Sequence, residues 1–217
     1  LSSIDLITDC GSGRAFVVVI DDPSYLDLAQ SIVSAIGERA RGVLVRSAPI
    51  TARDWRTQAR DFEALLSGLK IRQASLVGIG AGATLAQNLA LENPKMVRTL
   101  IIVDASLRPH PSVFERIVDR IESALPFGLP LRLGSEKFNV RAFAHRLRCP
   151  TMLVSTGRCS SFVSNELRDL GVVAPTAWYR DLTASNISDE GKEVCELVLA
   201  FHETPAKCPQ KNLQEAV

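Results

Sequence analysis

What this chain lacks narrows the field first. Nowhere in its 217 residues does an apolar run approach the roughly 18 residues of a membrane-spanning helix. Its opening residues do not read as a charged-then-apolar secretion signal. Neither sign of charge dominates: 25 Lys and Arg stand against 24 Asp and Glu, a net charge of +1. That balance removes the global electrostatic case for nucleic acid or an anionic membrane surface as a partner. Histidine is scarce, with only His110, His145 and His202. The five cysteines (Cys10, Cys149, Cys159, Cys195 and Cys208) are odd in number, and their spacing fits neither a disulfide framework nor paired zinc knuckles. The expectation is a cytoplasmic protein with reduced thiols, no metal and no other cofactor. No internal repeat or low-complexity segment interrupts the chain.

What is present is ordinary globular composition, 46% hydrophobic and 23% charged, in a length that suits one core. The reading is a single domain over 1–204 with a polar tail over 205–217. Short β-branched runs predict strands at 15–20, 42–46, 74–79, 99–104, 151–155 and 174–180. Amphipathic helical patterns fall between them at 26–36, 52–69, 83–92 and 190–202. In the second, Trp55, Ala59, Phe62, Leu65, Leu66 and Leu69 share one face, and Thr51 with Asp54 has capping-box spacing. Both Trp55 and Trp178 read as core. Strands alternating with helices predict an α/β protein: a mostly parallel sheet of six or more strands, covered by helices on both faces. The proline-punctuated stretch 107–148 breaks the alternation. Its helical patterns at 113–125 and 136–147, the first with Ser112 and Glu115 at capping-box spacing, predict a small lid over the sheet's carboxyl edge.

The segment that raises the question of function is Gly78-Ile79-Gly80-Ala81-Gly82, a glycine-rich turn between a strand and a helix. One reading is dinucleotide binding. Gly78, Gly80 and Ala83 fit G-x-G-x-x-A, and Asp104 ends the following strand where a ribose-binding acid belongs. Such a fingerprint usually sits on the first strand of its fold, whereas here two predicted strands precede it.

A second reading covers more of the chain. The stretch LVGIGAGATLAQNLALENPKMVRTLIIVDAS resembles the α/β-hydrolase pattern of elbow, helix, Pro-x-x-Val and a strand ending near Asp. Here the later parts are Pro94 to Val97 and Leu100 to Asp104. Arg148-Cys149-Pro150 and the strand after them look like the family's lead into the triad acid, and 193–201 is similar to its last helix. The resemblance runs over about 15–202, and it implies an α/β-hydrolase fold with a short lid insertion.

The same resemblance assigns places to the family's chemistry, and each place can be checked. Its G-x-S-x-G nucleophile falls on Gly80, which has no side chain to attack with. The triad acid belongs within Gly157 to Ser161, where no carboxylate stands; the base belongs within Asp181 to Asn186, where no histidine stands. The oxyanion-hole His-Gly is replaced by Asp21-Asp22-Pro23, two carboxylates and a residue without an amide hydrogen. The chain therefore resembles hydrolase relatives that keep the fold without its nucleophile, such as the N-myc downstream-regulated family, whose chains are longer and whose elbow is also glycine-rich.

What remains for function is binding, of a small apolar or anionic ligand under the lid or of a protein partner. Asp21, Asp22, Gly80, Ala81, Asp104, His110 and Cys159 are the candidate ligand-binding residues at the carboxyl edge of the sheet, with Ser47, Ser106 and Ser185 nearby. The N–H groups at the start of the helix after Gly82 form a candidate anion site. An alternative is an enzyme with a relocated site, in which Asp104 and His110 pair as acid and base or Asp104 joins Asp21 and Asp22 around a divalent cation. The plain structural account competes with each: the glycines let a helix approach a strand, and Cys159 is a small half-buried thiol.

Overall fold

The computed structural model describes residues 4–48, 55–105, 146–174, 176–182 and 187–203. Seven strands form one sheet: β1 (Ile4–Cys10), β2 (Ala15–Ile20), β3 (Arg41–Ser47), β4 (Ala74–Ile79), β5 (Val97–Val103), β6 (Thr151–Thr156) and β7 (Ala177–Leu182). Among the described residues five helices accompany them: α1 (Leu26–Gly37), α2 (Trp55–Gly68), α3 (Gly82–Glu92), α4 (Ser161–Val173) and α5 (Ile187–Glu203). A single turn of 3-10 helix, Pro23–Tyr25, leads into α1. The strand order is β1-β3-β2-β4-β5-β6-β7, parallel throughout except for β1, which runs antiparallel to β3.

Period-two alternation explains why the central strands read as unbroken apolar runs. In β2, Val17 and Val19 face one side with α2, α3 and α4, while Phe16, Val18 and Ile20 face the other with α1 and α5. The same split recurs in β5, with Leu100 and Ile102 against Ile101 and Val103. Both faces are covered, so neither can carry polar side chains without cost, and strand composition becomes almost wholly aliphatic. Trp178 stands edge-to-face with Phe201, ring centroids 5.5 Å apart, which ties β7 to α5.

Two elements escaped the sequence reading and one was displaced. Strand β1 has mostly exposed side chains and lies at the sheet's edge, so it lacks the apolar signature of its neighbours. Helix α4 begins where Ser160 caps the Val163 N–H, and it runs to Val173. The stretch predicted as strand 174–180 opens instead on the helix's C-cap, Ala174, and β7 lies at Ala177–Leu182. The predicted lid helices, the Thr51 and Asp54 cap and the tail lie outside the described residues.

Candidate functional site

Among the parallel strands β2 to β7 the build order reverses direction once. From β2 the chain steps outward to β3, then returns past β2 to β4. At such a switch point the loops leaving two adjacent strands diverge to opposite faces and open a crevice at their carboxyl ends. The crevice here is bordered by Asp21 to Tyr25, after β2, and by the glycine turn after β4.

Gly80 takes φ 59, the left-handed region that an L side chain occupies only under strain. Its own N–H donates to Val103 O at 2.9 Å, which locks the turn to β5. The two flanking glycines do different work. A Cβ on Gly78 would overlap the backbone of Ala83, and one on Gly82 would lie 2.6 Å from Val19 O. Both positions let α3 press against the sheet. A Cβ on Gly80 would instead meet side chains: Tyr25 Cε2 at 2.9 Å and Asp21 Oδ1 at 3.4 Å. The space above the elbow is taken by a phenol ring from the neighbouring loop.

Asp21 completes that arrangement. Its Oδ1 accepts the N–H of Gly82 at 3.2 Å, so a carboxylate sits on the first turn of α3. Asp22 is turned away and exposed. Its carboxylate accepts the N–H of Ser24 at 2.8 Å, capping the 3-10 turn, and that hydrogen bond holds its pKa below the ordinary value. Ala81 follows as the exposed residue before α3.

Asp104 forms the other wall. It lies one residue beyond β5, has φ 50 and is 5% exposed. Register carries it across the β5–β6 boundary: its own N–H donates to Val154 O at 3.0 Å, and its carboxylate accepts the N–H of Thr156 at 2.7 Å and the Thr156 hydroxyl. The carboxylate thus stands at the end of β6, although its residue follows β5. Cys159 lies beside it. Burial, and then the Asp104 charge, push the Cys159 thiol up to about 11, so it remains protonated near neutrality. Tyr25 joins both walls. Its phenol pKa is raised, first by burial and then by the charges of Asp104, Asp21 and Asp22.

The structure therefore brings together Asp21, Gly80, Asp104 and Cys159, and it turns Asp22 outward. Ser47 is buried at the end of β3, and its hydroxyl has no partner among the described residues. His110, Ser106 and Ser185 lie outside the described residues, so the Asp104 and His110 pairing is not seen. Sequence reasoning missed Tyr25 and Thr156. The available signal for Tyr25 was its place, an aromatic in the turn after β2, beside the switch point. A shallow groove of about 460 Å³ lies elsewhere, between α1 and α5, bordered by Ser31, Glu38, Arg39, Lys192 and Glu196. Among the described residues no group of three His, Cys, Asp or Glu side chains is placed to hold a metal, and no helix is long and apolar enough to cross a membrane.

No protein-family model and no curated protein sequence matches the chain. Solved structures do. The enol-lactonase from Burkholderia xenovorans LB400 superposes with a TM-score of 0.69 at 15% identity, covering 92% of this chain and 96% of that one. A thermophilic esterase from Thermogutta terrifontis gives 0.67 at 13% identity, with 92% of each chain covered. A bromoperoxidase from Bacillus anthracis gives 0.66 at 14% identity, covering 92% and 95%. Identities this low speak to architecture, and together with the strand order and the turn at Gly80 they establish that the chain has the α/β-hydrolase fold.

Proposed function

We propose that this chain is a non-catalytic binding or regulatory protein on the α/β-hydrolase fold, without serine-hydrolase chemistry. One observation carries the reading. The elbow residue Gly80 keeps the left-handed backbone of a nucleophile turn, yet it has no side chain, and Tyr25 fills the space one would need. The Asp21 carboxylate on Gly82 adds to it, because a negative group there opposes an oxyanion. The same carboxylate weighs against nucleotide binding at Gly78 to Ala83, since a phosphate would have to displace a like charge.

A second reading rests on Asp104. A buried carboxylate held in a strained backbone at the carboxyl edge is a feature that functional sites share. On this view the chemistry has moved to Asp104, with His110 as its partner. The fold alone does not choose between the two.

One screen separates them. The purified protein is heated with acyl esters, acyl-CoA, nucleotides and divalent metals, and ester turnover is read in the same wells. Esters and lactones are apt probes because solved structures of this architecture include an esterase and an enol-lactonase. Stabilisation by one class without turnover supports the binding protein. Turnover that survives Gly80→Ala but disappears in Asp104→Asn overturns it in favour of the relocated site.

A further inference from the structure

The residues after β2 do more than border the crevice. Asp22, Pro23 and Ser24 are exposed, and no residue of the 3-10 turn is buried. The turn is held locally by the Asp22 carboxylate on Ser24 N–H and by Tyr25 N–H on Asp22 O at 3.1 Å. Inward, it meets the glycine turn through two groups, and Tyr25 also packs against the apolar cluster on the α1 and α5 face. The Asp21 carboxylate sits on Gly82, and the Tyr25 ring lies over Gly80. A surface turn with little buried area opens at low cost compared with the sheet beneath it. The ring edge nearest Gly80 belongs to a side chain that can rotate, unlike the backbone atoms that crowd Gly78 and Gly82.

We propose that the Asp21–Tyr25 segment is a built-in plug of the elbow. Tyr25 occupies the space above Gly80, Asp21 occupies the first amide of α3, and any ligand that reaches the elbow must displace both. The contact is autoinhibitory in form: the crevice is closed by the chain itself. This inference is independent of whether the protein is a binder or an enzyme, because it concerns access and not chemistry.

The test places a reporter under the plug. Gly80→Cys introduces a thiol at the elbow, and its alkylation by iodoacetamide is followed by peptide mass spectrometry, which separates it from the native cysteines. Folding of every variant is checked by circular dichroism. With Tyr25 in place the introduced thiol should react slowly. Adding Tyr25→Ala should raise the rate about tenfold or more, while adding Tyr25→Phe should leave it slow, because the ring and not the hydroxyl blocks the way. Equal rates with Tyr25 and with Tyr25→Ala would overturn the proposal. If Gly80→Cys folds only together with Tyr25→Ala, the steric contact is demonstrated directly. If it folds in neither background, the unaltered protein decides. A nuclear Overhauser contact between the Gly80 α-protons and the Tyr25 ring supports the plug, and its absence refutes it.

Discussion

Asp104 and Thr156 are 52 positions apart, yet the carboxylate of one accepts both the backbone N–H and the hydroxyl of the other. The pairing is a product of parallel register, since Val103 sits opposite Val154 and β6 continues beyond that pair to Thr156. It fixes the crevice's far wall and holds Asp104 in its left-handed backbone. Asp104→Ala should destabilise by about 2–4 kcal/mol, because it leaves a buried N–H unpaired and keeps the strained backbone. Asp104→Asn should cost about 1 kcal/mol, since Asn tolerates this conformation and retains one acceptor oxygen. Urea midpoints would check both. Equal midpoints for the two variants would remove the hydrogen bonds as the reason for the residue.

The same carboxylate sets the behaviour of Cys159. Burial is the larger cause of its raised pKa and Asp104 the second, so Asp104→Asn should lower the alkylation midpoint of Cys159 without returning it to the ordinary value near 9. The linked effect on stability has a definite sign. A thiol whose folded pKa is raised contributes stability that is complete below the unfolded value and is lost as pH climbs through the folded one. Cys159 and Cys195 both rise to about 11, so the melting temperature should fall between about pH 9 and 11. Cys195→Ala should flatten that fall, and an unchanged alkaline slope would count against its raised pKa.

Glycine positions in this fold divide by what surrounds them. Gly78→Ala would drive a methyl into the backbone of Ala83 and should cost at least about 3 kcal/mol or prevent folding. Gly68, exposed at the end of α2, has nothing among the described residues within 4 Å of the place a Cβ would take. Gly68→Ala should be neutral or stabilising by up to about 1 kcal/mol, through helix propensity and a less flexible unfolded chain. Chemical denaturation of the pair would check the contrast.

These cases mark what could be read from sequence. Strands β2 and β4 match their expected bounds because burial on both faces leaves continuous apolar runs such as Phe16 to Ile20. Strand β1 has Asp5, Leu6 and Ile7 exposed along a sheet edge, so neither alternation nor an apolar run announces it. The elbow was legible because glycine identity at 78, 80 and 82 is itself a backbone statement. The crevice's contents were not. Tyr25 over Gly80 follows from strand order, and Asp104 on Thr156 follows from register, neither of which is encoded locally.

Tyr179 is the hub of a buried hydroxyl cluster between β6, β7 and α4. Its phenol lies 2.7 Å from Ser155 Oγ and 2.9 Å from Ser164 Oγ. Tyr179→Phe keeps the ring and removes those bonds, leaving the two serines 3.4 Å from each other. The expected loss is about 1–2 kcal/mol. Arg168→Ala, which removes a partly exposed ion pair to Asp181 at 3.6 Å, should cost under about 1 kcal/mol. If the arginine variant proves the more damaging, the stacking of Arg168 on the Tyr179 ring outweighs the hydroxyl network.

The edge strand supplies a pH test with the opposite sign. Arg41 on β3 donates Nε and Nη2 hydrogen bonds to the two carboxylate oxygens of Asp9 on β1, at 2.9 and 2.7 Å. Its Nη1 also reaches Leu69 O at 2.9 Å, which joins the strand pair to the end of α2. The guanidinium lowers the pKa of Asp9, and a lowered carboxylate contributes stability that is present above the unfolded value and lost as pH falls through the folded one. The pair is near the surface, so the effect should be local and should weaken with salt. Hydrogen exchange of the β1 amides, corrected for intrinsic rates, should show protection at about pH 5 that declines as pH falls below the ordinary Asp value of 3.8, while the amides of β2 and β4 hold theirs. Asp9→Asn should expose β1 at both pH values. If β1 protection in the unaltered protein is independent of pH over that range, the Arg41 pairing does not hold the edge, and the apolar contact of Ile4 with the core does.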